Sequence, residues 1–324
     1  MKKAIYKPFF IFGIIVFIIP LFVRSPYYLG VLVQAGIFSL IAMGLSLLMG
    51  YAGQISIGHA AFFGIGAYTS AILTGSYGWS PWTALFAGMV LAGAVAWIIG
   101  MPSLKLKGHY LAMATLGFGE IVHIFFVAQH DLTGGPSGYT AGIIPYINFI
   151  KWPVDTELKH FYFIWMFVLI VLLLNLHLIH SRVGRALRSI HVDEEASRAM
   201  GINTARYKVG IFVLSAIYAS LAGSLYCHYI LFVAPGPFGL IESVLLVTMV
   251  LIGGIGSIWG AITGATILTL LPEVLRVFQD YNILIYGSIL MVIMLFLPGG
   301  LSSGIHRLFR KLGRILIKKV KAGG

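Results

Sequence analysis

A chain of 324 residues that is 59% hydrophobic and 10% charged, with a mean hydropathy of +0.95, has too little polar surface for a soluble globular protein, since soluble domains carry about 25% charged residues. Its net charge of +12 does not point to nucleic acid, because the basic residues gather in a few short stretches between long apolar runs. One cysteine, Cys227, inside an apolar segment, excludes an internal disulfide and argues against a cysteine metal or redox site.

A membrane-spanning helix needs about 20 mostly apolar residues to cross a hydrocarbon layer roughly 30 Å thick. Because lipid offers the backbone no partners, each such run must be helical. In chain order the apolar windows fall near 9–23, 30–50, 58–75, 82–101, 109–129, 161–180, 209–232, 241–254, 261–277 and 283–298. The first follows Met1-Lys2-Lys3 and imitates a signal peptide, but Arg24-Ser25-Pro26-Tyr27 is no small-x-small cleavage site, so it reads as a retained span. The segments 58–75 and 241–254 are short and glycine-rich; if broken or re-entrant, they bring the count from ten to eight or nine. The expectation is an all-α integral membrane protein, a single domain over residues 1–324 built as a bundle of about ten helices.

Orientation follows from Lys and Arg, which stay in the cytoplasm. They cluster in the tail 1–8, near 102–108 (Lys105, Lys107), in the loop 181–208 and in the tail 301–324, which together hold 18 of the 22. Ten spans place all four stretches on one side, with both termini cytoplasmic and the loop 130–160, carrying Trp152, Asp155 and Glu157, outside. A weak similarity links Leu48–Gln54 with Leu251–Ser257, but both would leave the membrane on the same side and so are not mates in an inverted repeat.

Four segments carry chemistry. In Gly50–Tyr68, glycines at 50, 53, 58, 64 and 66 thin the helix while Gln54, Ser56 and His59 bring hydrogen-bonding groups to membrane depth. Irregular backbone survives there only inside protein or along a water-filled cavity, so these groups either line a solute path or serve close packing, with His59 bonded to a neighbour. In Gly108–Gln129, His109, Met113, Leu116, Glu120 and His123 share one helical stripe. An ionised carboxylate at mid-bilayer costs roughly 2.5–3.5 kcal/mol on insertion scales, so Glu120 is expected to face the protein interior. There it is protonated, paired or hydrogen-bonded, with His123 its nearest partner. The stripe lines the path or makes a structural interhelical bond.

The third segment is Ser181–Ile202. Asp193 suits an N-cap, Glu194, Glu195, Ala196, Arg198, Ala199 and Met200 form helix well, and Gly201 fits the stop. So short a helix is marginal alone in water; it either docks into something or is a solvated connector. The fourth, Leu132-Thr133-Gly134-Gly135-Pro136-Ser137-Gly138, looks like a phosphate loop only superficially, since no Lys-Ser or Lys-Thr follows the glycines; it reads as a turn. No Walker A pattern occurs in the chain, so ATP chemistry must come from elsewhere.

Taken together, Gly50–Tyr68, Thr115–Glu120, Leu132–Gly138 with Gly142–Pro145, Ser181–Ile202 and Val250–Pro272 resemble the permeases of branched-chain amino-acid ABC importers, in their LivM-like branch. The resemblance runs from about residue 30 to Leu301. ABC permeases carry an E-A-A-x-x-x-G motif; Glu195, Ala196 and Gly201 match it here, with Ser197 in place of the second alanine. The resemblance implies a coupling helix of Asp193, Glu194, Glu195, Ala196, Ser197 and Gly201 seated in a groove of an ATP-binding subunit. It implies as partners two cytoplasmic ATP-binding subunits that hold ATP and Mg, a second homologous permease and an extracytoplasmic binding protein, in a bacterial inner membrane. No cofactor on this chain, no enzymatic activity and no nucleic-acid partner are expected. Gln54, Ser56, His59, Glu120 and His123 are the candidate path residues. The same family handles other small polar solutes such as urea, which is the alternative substrate. From other classes, an ion-coupled transporter would use Glu120 as proton carrier. A membrane enzyme would use His59, His109, Glu120 and His123, whose spacing fits no H-E-x-x-H motif.

Overall fold

The computed structural model describes residues 2–23, 25–103, 106, 108–140 and 156–275, with positions 285, 287, 288 and 291 besides. Lys105 and Lys107, the loop portion 141–155 with Gly142–Pro145, Trp152 and Asp155, the remainder of the expected span 283–298 and the tail 301–324 lie outside the described residues. The helices are α1 (Lys2–Phe22), α2 (Pro26–Ser46), α3 (His59–Gly75), α4 (Pro81–Ser103), α5 (His109–Ala128), α6 (His130–Thr133), α7 (Glu157–His180), α8 (Arg182–Val192), α9 (Glu194–Ala199), α10 (Thr204–Ile230), α11 (Leu240–Gly253) and α12 (Ile258–Leu275). Among the described residues the only extended pairing is a single bridge between Tyr139 and Val233.

Among the described residues, six helices are long and apolar enough to cross a membrane: α2 with its continuation to Tyr51, α4, α5, α7, α10 and α12. Lys7–Phe22 and α11 are apolar but shorter. The short expected segment at 58–75 is the 17-residue α3, buried along almost its whole length. Two boundaries moved for a physical reason. The window at 209–232 begins at Thr204, because Asn203 caps the helix by accepting from the Arg206 amide at 3.1 Å and the polar first turn continues it beyond the apolar stretch. The window at 161–180 likewise starts at Glu157.

The core is a seam between α3 and α10, flanked by α4 on one side and α2 on the other. Small residues make it possible: Ala216, Ala219, Ser220, Ala222 and Gly223 of α10 are all buried, and Ser220 and Gly223 meet α3 directly. A Cβ added to Gly66 would sit 2.1 Å from the Ser220 carbonyl oxygen, and one on Gly223 would sit 2.0 Å from that of Phe63. Close backbone approach of this kind is how helices associate where lipid removes the hydrophobic driving force. The two similar glycine stretches also meet, since a Cβ on Gly50 would lie 2.1 Å from the Gly256 amide nitrogen. By contrast α1 is peripheral. Its Phe12 packs on Trp165 and Trp259, while Phe10, Ile14, Phe17 and Leu21 are exposed, as a lipid-facing helix requires.

Candidate functional site

The chain breaks between α2 and α3. A π-turn over Leu47–Tyr51 unwinds α2, the Ala52 amide closing it on the Leu47 carbonyl; Gly53 adopts φ +67°, and residues 52–58 lie outside any helix before α3 begins at His59. Such turns are frequent at functional sites. A helix that starts inside the protein leaves its first amides without partners, and here other helices supply them. The Ala60 amide donates to Ser243 Oγ on α11 at 3.2 Å, and the Ile57 amide to Thr115 Oγ1 on α5 at 3.1 Å. A Cβ on Gly58 would strike the Thr115 carbonyl oxygen at 2.1 Å.

His59 is the knot of this junction. It is 1% exposed, with Nδ1 2.9 Å from Ser56 Oγ and Nε2 2.7 Å from Ser215 Oγ on α10. A neutral imidazole has one donor and one acceptor nitrogen, and a serine hydroxyl serves either, so the ring is satisfied in both tautomers. Phe62 and Phe212 pack edge-on against it. This is the geometry of a packing histidine, the second of the two readings its sequence context allowed.

Gln54 is placed as deeply, at 2% exposure, yet neither Oε1 nor Nε2 has a hydrogen-bond partner among the described residues. The residue borders an open pocket of about 250 Å3, shared with Ala52, Gly53, Leu106, Gly108, Leu111, Ile190, His191, Glu194 and Lys208, while its amide atoms themselves are buried away from solvent. The break and the Arg-rich segment 181–208 therefore share one pocket, a juxtaposition without any sequence signal.

That basic segment is two helices, α8 and α9. Only the second was anticipated; α8 was hidden by its arginines, although Ser181 caps it through the Val183 and Gly184 amides and Ala186, Leu187 and Ile190 form its buried side. Arg188 holds α8 to the end of α7 by donating to the carbonyls of Gly184 and Ile179 at 3.2 and 2.9 Å. Asp193 is the N-cap of α9 as anticipated, accepting from the Glu195 and Ala196 amides at 2.9 and 3.0 Å. Gly201, at φ +84°, ends the unit in a left-handed conformation that a side chain would strain. Ser197, the departure from the family motif, is buried, and its hydroxyl lies 2.6 Å from Ser189 Oγ, tying α9 to α8. Glu194 makes an ion pair with Lys208 in the second turn of α10 and lies 3.4 Å from Arg198. Glu195 and Ala196 are exposed, and so are Val192 and Met200, at 85% and 84%.

The α5 stripe departs from expectation. His109 and Met113 are exposed, while Leu116, Glu120 and His123 are half-buried; the buried line is Leu111, Ala112, Thr115 and Phe126. The reason lies in Gly58 and Gly119, whose small size draws the neighbouring face of α5 onto the break instead. No hydrogen bond joins Glu120 to His123 among the described residues; His123 rests its ring on Gly239, and its Nε2 is unpartnered. Glu242, in the first turn of α11 and also with an oxygen unpartnered among the described residues, was not anticipated. Its signal was a lone carboxylate in an apolar run. The turn Thr133–Gly138 carries no ligand geometry. Thr133 is buried and bonds the Phe126 and Gln129 carbonyls, and Tyr139 pairs with Val233, so this stretch staples α5 to the connection after α10.

Over residues 27–298 the chain matches the family described as branched-chain amino acid transport system / permease component. It is 32% identical to the high-affinity branched-chain amino acid transport system permease protein LivM of Escherichia coli K12, over 82% of this chain and 67% of that protein. It is 26% identical to LivH, a permease protein described in the same words from the same organism, over 87% and 93%. Against the probable branched-chain amino acid transport permease protein LivM of Methanocaldococcus jannaschii identity is 22%, over 84% and 92%. No solved structure matches.

Proposed function

The chain belongs to the family of branched-chain amino acid transport permease components, and on that premise we propose that it is the membrane-spanning subunit of an ATP-driven importer of branched-chain amino acids. It is a multi-pass membrane protein. We assign it ten spans with both termini in the cytoplasm of a bacterial inner membrane, since that arrangement gathers its four basic stretches on one side. ATP and Mg are held by two cytoplasmic subunits, an extracytoplasmic protein delivers the solute, and a second related permease completes the path. The chain's similarity to both LivM and LivH supports such a pair.

Mechanically, α9 is the handle. Its cap and its glycine stop make it a rigid unit, and exposed Val192, Glu195, Ala196 and Met200 offer the ATP-binding subunit an apolar ridge with a charge beside it, for helix-in-groove docking. Displacement of α9 reaches the membrane by three joints: Arg188 to α7, the Ser189–Ser197 bond to α8, and the Glu194–Lys208 pair to α10. From Lys208, α10 runs two turns to Ser215 and so to His59 at the break. A full switch between outward-open and inward-open populations needs about 5.5 kcal/mol of preference from the nucleotide. The solute path follows the loosely packed side of α5 and the break, with Glu120, His123 and Glu242 toward one end and Gln54 and Ser56 toward the other.

The observation that carries this reading is the capped α9 paired to a spanning helix through Glu194 and Lys208. Its test is purification from native membranes followed by reconstitution. Two ATP-binding subunits and a related permease should co-elute, and leucine uptake should require ATP and survive an uncoupler. A chain that is recovered alone and transports without ATP overturns it.

A further inference from the structure

We propose that the first turn of α10 holds an anionic phospholipid, its phosphate on Arg206 and its two acyl chains in the open grooves that diverge on either side of that residue. The inference needs only a multi-pass membrane protein and stands whatever solute the chain carries. The first groove, of about 690 Å3, runs between α10 and the α7–α8 corner, walled by Leu178, Val183, Ile202, Tyr207, Ile211 and Leu214. The second, of about 770 Å3, runs between α10 and the end of α4, walled by Trp97, Met101, Pro102, Val209 and Val213. Asn203, Arg206 and Gly210 line both. At 3.6 residues per turn, Arg206 and Gly210 form one line along the helix. Tyr207, Ile211 and Leu214 fall to one side of it, and Ala205, Val209 and Val213 to the other.

Charge and depth together select this occupant. Arg206 is exposed, and its guanidinium makes no ion pair or hydrogen bond among the described residues. No acidic side chain lines either groove, and Arg182, beside Val183, is exposed as well. The Asn203 side chain caps the helix through its oxygen, which leaves its amide nitrogen as a second donor at the junction. Below this cationic head the walls are apolar and reach Leu214, eight residues and about 12 Å further along the axis. Basic pockets between spanning helices near the membrane surface suit anionic head groups. A soluble anion would leave both apolar walls bare, and a single-chain amphiphile one of them. An acidic peptide at that depth would strand its backbone polar groups. A diacyl phospholipid covers both walls from one phosphate. Because Ile202 belongs to the link between α9 and α10, the chain in the first groove packs against the joint that holds α9.

The second groove carries its own reporter, since Trp97 is 52% exposed there. The complete transporter is placed in phosphatidylcholine nanodiscs containing a minor fraction of phosphatidylglycerol or phosphatidylcholine brominated on its acyl chains. The Trp97 signal is the difference between the parent and Trp97→Phe. Brominated phosphatidylglycerol should quench it about fivefold more strongly than brominated phosphatidylcholine at equal mole fraction, the size of one arginine's attraction for an anionic lipid. Arg206→Gln should bring the two lipids level. Gly210→Leu should do the same by filling both grooves with Arg206 intact, and it should fold, because a Cβ there meets nothing within 4 Å. A preference that survives both variants belongs to the general field of the basic surface and overturns the site. So does equal quenching by the two lipids, or no quenching by either, as when a partner subunit covers this face. Inorganic phosphate should leave the quenching unchanged; if it abolishes the preference, the junction takes free phosphate and the lipid assignment falls.

Discussion

Two polar side chains five residues apart, both almost wholly buried in the same chain break, have opposite surroundings. His59 has every hydrogen-bonding atom engaged and aromatic rings on two sides; Gln54, at the edge of a pocket, has neither amide atom engaged among the described residues. The contrast extends to what lies behind each. His59 belongs to the α3–α10 seam, where backbones meet through glycine, whereas Gln54 belongs to the joint between the break and the α8–α9 unit. Saturated polar groups specify a single arrangement. Idle ones are tolerated where something else must bind or move. The seam is thus the frame, and the joint at the Arg-rich end is the less saturated part of the molecule.

The most damaging way to break this division is Gly66→Val. With the Ser220 carbonyl 2.1 Å from the new Cβ, backbones rather than side-chain tips must move, costing about 3 kcal/mol or more. Membrane abundance should collapse, which quantitative blotting of the complex reads directly. His59→Ala is next. It strands Ser56 and Ser215 and opens a cavity among Phe62 and Phe212, for a loss of ~2–5 kcal/mol in thermal unfolding of the detergent-solubilised complex. Uptake should fall in proportion to surviving protein, and a larger fall would move His59 from frame to path. Third comes a cycle of Glu194→Gln, Lys208→Met and the double variant. The side chains are 18% and 10% exposed, so a coupling energy of about 1.5–3 kcal/mol is expected for a charged hydrogen bond. The single variants should uncouple ATP hydrolysis from uptake; variants that do neither would deny this pair any part in transmission.

How much of this was legible in the sequence depended on range. Local chemistry was: Asp193 and Gly201 bound α9 where the capping rules put them, and apolar length located α2, α4, α5, α7, α10 and α12 to within a turn or so. Long-range placement was not. Hydropathy is blind to direction around a helix, so the α5 stripe it suggests lies one face away from the line that packs on Gly58, and it gives no sign that the polar start of α10 is helical. In α8 the arginines suggested topology and masked an amphipathic helix whose buried side is Gly184, Ala186, Leu187 and Ile190. Gln54 and Lys208 are 154 residues apart, and no periodicity brings them to one cavity.

Gln54→Leu carries the smallest and most discriminating effect, because stability and transport should move in opposite directions. An amide buried without partners destabilises the fold, and an apolar side chain of similar volume removes that penalty. The variant complex should therefore unfold at a slightly higher temperature, by about 1 kcal/mol in free energy, the gain usual for substitutions that trade function for stability. Uptake per molecule should drop, with ATP hydrolysis retained, because the α9 joints do not involve Gln54. A structural glutamine satisfied by fixed partners predicts the reverse on both axes: lower stability and unchanged uptake from what remains. Measuring unfolding and uptake on the same preparation places Gln54 on one side of the contrast or the other. His59→Ala run beside it supplies the opposite pattern as its internal reference.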